Sequence, residues 1–100
     1  MLDVIRWNKP KKPTLEELQK MLTAEGLEHD LYSDSPGTKY GRHKHAFDDF
    51  IVIVSGKMRI VTDAQDWVMK PGDRLNLPPN TAHSAEVVGR EEVQYLSAAK

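Results

Sequence analysis

The chain contains no cysteine, which excludes disulfides, thiolate metal sites and cysteine nucleophiles together. An excess of either charge is also missing. Fourteen Lys and Arg stand against fifteen Asp and Glu, for a net charge of −1, so no long-range field gathers nucleic acid. The one basic cluster, Lys9, Lys11 and Lys12, reads as a solvated linker. Long hydrophobic runs are absent too: no stretch approaches the roughly 18 to 20 apolar residues of a membrane span. Met1 to Trp7 lacks a continuous apolar segment before Lys9, so neither a secretory leader nor a membrane anchor is expected, and a cytoplasmic address is the default. The G-x-S-x-G elbow, the P-loop and the Rossmann glycine pattern are likewise missing. Neither internal repeats nor low-complexity segments occur.

What remains is 100 residues with 39% hydrophobic content, enough for one domain over 1–100 with a modest core. Without disulfides, so small a core would gain stability from a bound metal or from self-association.

Residues 2–7 read as a short strand, ended by Pro10 and Pro13. Thr14-Leu-Glu-Glu17 is a capping box, in which the Thr14 hydroxyl accepts from the Glu17 amide and the Glu17 carboxylate reaches back. Leu15, Leu18, Met21 and Leu22 then form one apolar stripe and Gly26 supplies a stop, so an amphipathic helix is expected over 14–25. Its expected role is to cover an open end of a small barrel. Beyond Leu27 the pattern becomes short strands separated by turns, over 27–33, 39–45, 48–54, 57–62, 65–70, 73–77, 82–88 and 92–98. Phe50 to Val54 is apolar throughout, as expected of a strand covered on both faces. Lys70-Pro71-Gly72-Asp73 has proline and glycine where a type II turn wants them. Eight short strands without a further helix imply a sandwich or a closed antiparallel barrel.

Three of the four histidines carry the chemical signal. His43 and His45 are two apart, which on a strand places both imidazoles on one face about 7 Å apart, close enough to share an ion. Asp49 follows on that same face, whereas alternation turns Asp48 to the other. His83 must join them from a distant strand. Imidazoles with a carboxylate suit Fe, Mn, Ni, Zn or Cu.

The intervals Gly37, His43, His45, Asp49 and Gly56 resemble the first cupin motif, G-x5-H-x-H-x3-4-E-x6-G. Gly72, Pro78, Asn80, His83 and Val87 resemble the second, G-x5-P-x-G-x2-H-x3-N. The resemblance spans residues 37–87, about half of the chain, with 15 residues, Lys57 to Pro71, between the motifs. Asn80 replaces a glycine, and Asn is the side chain that best tolerates positive φ there. Val87 replaces an asparagine beyond the ligand. Asp49 replaces a glutamate and so loses about 1.5 Å of reach. It could coordinate after a small strand shift, bind through a water, or leave a three-histidine site.

The resemblance implies an antiparallel cupin fold, a jelly-roll or double-stranded β-helix barrel, with the N-terminal strand and helix over 1–26 attached. It also implies a divalent transition metal held by His43, His45, His83 and Asp49, a small-molecule ligand, and a homodimer. The function it suggests is dioxygenase, isomerase or decarboxylase chemistry on a small oxygen-rich molecule, or else metal or ligand sensing without turnover. Three further expectations come from the residues themselves. Tyr40, Arg42 and Gln94 are candidate polar contacts near the metal, Trp67 and Met69 are core residues, and His29 is an exposed strand histidine outside the site.

Overall fold

The computed structural model describes residues 2–100 and is mainly β. Its elements are β1 (Val4–Ile5), α1 (Leu15–Ala24), β2 (His29–Asp34), β3 (Lys39–His43), β4 (Asp49–Ser55), β5 (Lys57–Thr62), β6 (Asp66–Met69), β7 (Arg74–Leu77), β8 (His83–Val88) and β9 (Val93–Ala99). They form a five-stranded sheet, β1-β7-β4-β9-β2, and a four-stranded sheet, β3-β8-β5-β6. Every pairing is antiparallel. The two sheets face each other as a jelly-roll sandwich and are not joined by a continuous ladder into a closed barrel.

Between the sheets lies the main core, built from alternate residues of each strand. Ile51 and Ile53 of β4, Leu75 and Leu77 of β7, and Val93 of β9 meet Met58, Ile60, Trp67, Met69 and Val87 of the smaller sheet. Trp67 and Met69 are therefore core, and Val68 between them is exposed. The other face of the larger sheet carries a second cluster, in which Val52, Val54, Leu96 and Ala98 pack against Leu18, Leu22 and Leu27.

That second cluster corrects the expected place of the helix. It covers the outer face of the sheet, not an open end, because β4 is apolar on both faces and its outward valines need a cover. The capping box forms as expected: the Glu17 amide donates to Thr14 Oγ1 at 3.2 Å, and the Thr14 amide donates to Glu17 Oε1 at 3.0 Å. The helix ends in a Schellman motif, with Gly26 at φ +75° and the Leu27 amide donating to the Leu22 carbonyl at 2.9 Å. Leu27 thus belongs to the helix stop, which is why β2 begins at His29 and not at 27.

β1 is shorter than 2–7 because side chains take over its flanking amides. The Val4 amide donates to Asp3 Oδ1 and the Trp7 amide to Asp73 Oδ1, at 2.8 and 2.9 Å. Asp73 follows the expected type II turn, in which Gly72 has φ +87° and the Asp73 amide donates to the Lys70 carbonyl at 2.9 Å. Among the described residues no helix is long and apolar enough to cross a membrane.

Candidate metal centre

The β3–β8 pairing builds one end of the site. Tyr40 is opposite Ala85 and His43 is opposite His83, so three steps along β3 match two along β8. The extra residue is a β-bulge. Without it, strict alternation would send Tyr40 and His43 to opposite faces; with it, both line the same inner cavity.

His45 arrives differently from the expectation. β3 ends at His43, so His45 lies in the connection to β4 and not two positions along a strand. The Asn80 amide holds it by donating to the His45 carbonyl at 2.7 Å. Asn80 has φ +63°, the left-handed conformation expected where the motif has glycine. The β7–β8 turn thereby positions a histidine that precedes β4.

His43, His45 and His83 each place one ring nitrogen within 4.8 Å of the others. Two of the three rings have a defined orientation. His43 Nδ1 is 2.6 Å from the Gly41 carbonyl and His83 Nδ1 is 2.9 Å from the Thr81 carbonyl. A carbonyl only accepts, so each Nδ1 carries the proton and each Nε2 keeps its lone pair. His45 stacks on Phe47 with ring centroids 4.9 Å apart. His83 is 4% exposed. Burial lowers its pKa below the ordinary 6.5, as does the neighbouring His43, while the bond to Thr81 opposes them. The neutral form that this favours is the form a metal requires.

Asp49 stands beside this set. It is 8% exposed, its Oδ2 is 3.8 Å from His45 Nε2, and Ser97 Oγ donates to its Oδ1 at 3.3 Å. Asp48 lines neither cavity of the site, as alternation requires.

Above the histidines is a chamber of about 170 Å³ with an apolar floor that includes Ile51, Met58 and Ile60. A wider groove of about 980 Å³ runs from the helix C-terminus past β2 to the β3–β4 connection. Tyr32, His45, Asp49 and Ser97 line both, so the groove leads into the chamber.

Of the three candidate polar contacts, Tyr40 lines the chamber and its hydroxyl donates to Asp34 Oδ2 at 2.8 Å. That bond raises the Tyr40 pKa. Arg42 instead forms a two-pronged ion pair with Asp63 at the surface. Gln94 accepts from Ser55 Oγ at 3.4 Å, outside the chamber. Its neighbour Tyr95 takes the inner position, where burial raises its pKa well above the usual phenol value of 10. Tyr32, Tyr95 and Ser97 are site residues that sequence reasoning missed. The signal was the alternation along Tyr95-x-Ser97, whose facing depends on a register that a single strand does not reveal.

His29 is half-buried, not exposed, with its Nδ1 3.0 Å from the Leu27 carbonyl. It pairs with Ala98, which belongs to the cluster beneath the helix, so alternation keeps it out of the inner chamber, although it lines the wider groove with Tyr32.

No curated protein matches the chain. Among solved structures, a conserved protein of unknown function from Streptococcus pyogenes is 26% identical with a TM-score of 0.65. The match covers 73% of this chain and 62% of that one, so the chain spans less than two thirds of that protein's length. A protein from Thermotoga maritima described as a predicted oxalate decarboxylase is 22% identical, TM-score 0.66, covering 80% of this chain and 71% of that one. A cupin superfamily protein from Desulfitobacterium hafniense is 16% identical, TM-score 0.65, covering 99% and 76%. The last two likenesses concern the fold alone. The family described as "Cupin domain" matches residues 31–99, and with all three motif histidines lining one chamber, the chain belongs to the cupin family.

Proposed function

We propose that His43, His45 and His83 hold a divalent transition-metal ion through their free ring nitrogens, and that the chain is an enzyme acting on a small oxygen-donor molecule in the chamber. The carrying observation is the convergence of three imidazoles within 4.8 Å, two of them with Nδ1 committed to backbone carbonyls. Such outer hydrogen bonds fix the tautomer and raise the basicity of the remaining nitrogen. The donor set fits Fe, Mn, Ni, Zn or Cu.

When bound, the ion supplies Lewis-acid polarisation or a redox couple. The protein's own contribution is positional. His83, neutral through burial, and His43, across the bulged pairing, hold the inner side of the site, while His45 closes it from the β3–β4 connection. Asp49 sits at the neck, where Ser97 orients one carboxylate oxygen and the other faces His45. The Ile51, Met58 and Ile60 floor gives that end of the chamber an apolar lining, and a low local dielectric strengthens polar interactions there. Tyr95 presents a hydroxyl that stays protonated at neutral pH and so remains a donor to a ligand oxygen.

The test is calorimetric titration of demetallated protein with Mn(II), Fe(II), Ni(II), Zn(II) and Cu(II) in turn. At least one ion is expected to bind one to one in the parent and to lose affinity by orders of magnitude in His43→Ala and His83→Ala. Equal binding in parent and variants would overturn the assignment. A metal-loaded parent that binds small oxygen donors at the ion without converting any of them would leave a metal-dependent binding protein in place of an enzyme.

A further inference from the structure

The two connected cavities differ from an ordinary anion site in one respect. Among the described residues neither Lys nor Arg lines the chamber or the groove, whereas Glu28, Asp30 and Asp49 line the groove beside His29 and His45. A ligand with a second carboxylate or a phosphate would meet like charge there with no Lys or Arg to pair it. The net charge of the whole chain is only −1, so this asymmetry is local to the path.

An aromatic wall stands at the same place. Tyr32 and Tyr95 are cross-strand partners, stacked with ring centroids 5.6 Å apart and planes at 24°. Tyr95 lines the chamber and Tyr32 lines both chamber and groove, remaining 47% exposed. Asp30 is paired with Ser97, as Tyr32 is with Tyr95, so Asp30 and Tyr32 share one face of β2 about 7 Å apart. An aromatic ring and a carboxylate at that spacing are the two features that recognise an organic cation: the ring through its negative face, the carboxylate through charge.

We propose that the site takes a small zwitterion, its oxygen-donor end toward His43, His45 and His83 and its organic cation, an ammonium or other onium group, seated against Tyr32 and Asp30. The orientation of the donor end rests on the metal reading given above; the cation seat does not. The chamber, about 170 Å³ in volume, restricts the donor end to a few heavy atoms, and the cation occupies the neck and groove beyond it.

The proposal is tested on metal-loaded protein with trimethylammonioacetate and with 3,3-dimethylbutanoate, which has the same shape but carbon in place of the charged nitrogen. Calorimetry is expected to show the zwitterion bound at least about tenfold more tightly. Tyr32→Leu and Asp30→Asn, both at solvent-accessible positions, should each reduce that preference severalfold while leaving metal content unchanged. Equal or tighter binding of the isostere with the uncharged tail, or a preference untouched by both substitutions, would overturn the proposal. A second arm uses metal-free protein titrated with tetramethylammonium and followed by the ring resonances of Tyr32 and Tyr95. Saturable shifts that disappear in Asp30→Asn support the cation seat even where no metal binds, and their absence sinks it whatever the histidines hold.

Discussion

His43 and His83 are partners across the β3–β8 pairing, with ring centroids 4.3 Å apart. That closeness depends on the bulge between Tyr40 and His43 and on two backbone carbonyls, Gly41 and Thr81, each two residues before its histidine. The same local device thus orients one ring from each sequence motif, and the pairing brings the two devices together.

Replacing His83 by alanine should therefore abolish tight metal binding and remove the stabilisation that the metal confers. A ligand present at 100 times its dissociation constant stabilises the folded state by about 2.7 kcal/mol, so the loss should show as a fall in Tm measured with metal present. Without metal the two proteins should differ much less. Thermal scans of both proteins, with and without the ion, check this, and equal metal-induced shifts would remove His83 from the ligand set.

Asp49 is expected to tune the centre, not to define it. Its carboxylate is a methylene shorter than glutamate and already engages Ser97. Asp49→Ala should keep measurable metal, and Asp49→Glu should equal or exceed the parent affinity by bringing an oxygen toward the usual distance of about 2.0 to 2.2 Å. Titration of one metal into the three demetallated proteins decides. No binding in the alanine variant, together with weakened binding in the glutamate variant, would make Asp49 an essential ligand.

Asp73 latches the N-terminal segment onto the β6–β7 turn. It is 4% exposed and accepts from the Arg6 guanidinium and from the Trp7 and Lys70 amides, at 2.7, 2.9 and 2.9 Å. Asp73→Ala strands those donors and should cost about 3 kcal/mol. At Gly72 an added Cβ would lie 2.4 Å from Trp7 Cγ in a backbone of φ +87°, so Gly72→Ala should also destabilise, by at least about 1 kcal/mol. Urea unfolding measures both, with metal binding per folded molecule unchanged because the latch is remote from the histidines.

A pH effect is expected where the helix meets the sheet. Arg74, which lies over the Phe50 ring, donates to Glu25 Oε1 at 2.8 Å, and that hydrogen bond holds Glu25 below the ordinary value of 4.5. A carboxyl whose pKa is lowered on folding contributes stability in full above its unfolded value, and loses it as pH falls through the lower folded value. Glu25 is 41% exposed, so solvent screening keeps the contribution small. Parent and Glu25→Gln should differ in Tm at pH 6 and converge as pH falls below 4.5 through the lowered folded value. A constant difference across that range would assign the effect to packing.

Much of this was legible in the chain because it is local. The capping box, the glycine stop, the type II turn, the left-handed Asn80 and the alternation that separates Asp49 from Asp48 each depend on residues a few positions apart, whose geometry follows from backbone sterics and strand or helix period. The motif spacing marked His43, His45 and His83 for the same reason: it is a pattern of intervals. Even the cover over β4 was implied by its five apolar residues.

Other features required the packed molecule. The helix could satisfy its stripe against any apolar surface, and only the sandwich decided that the surface was the outer face of Val52 and Val54. The bulge in β3 changes which side chains face inward, yet one inserted residue leaves no periodic trace. His45 is held by the Asn80 amide from 35 positions away. The Tyr32–Tyr95 wall and its acidic groove follow from the register of β2 on β9, which sets every facing along both strands at once. Alternation along a strand determined which residues travel together; the pairing of strands distant in sequence, whose hydrogen bonds form only on folding, determined where they arrive.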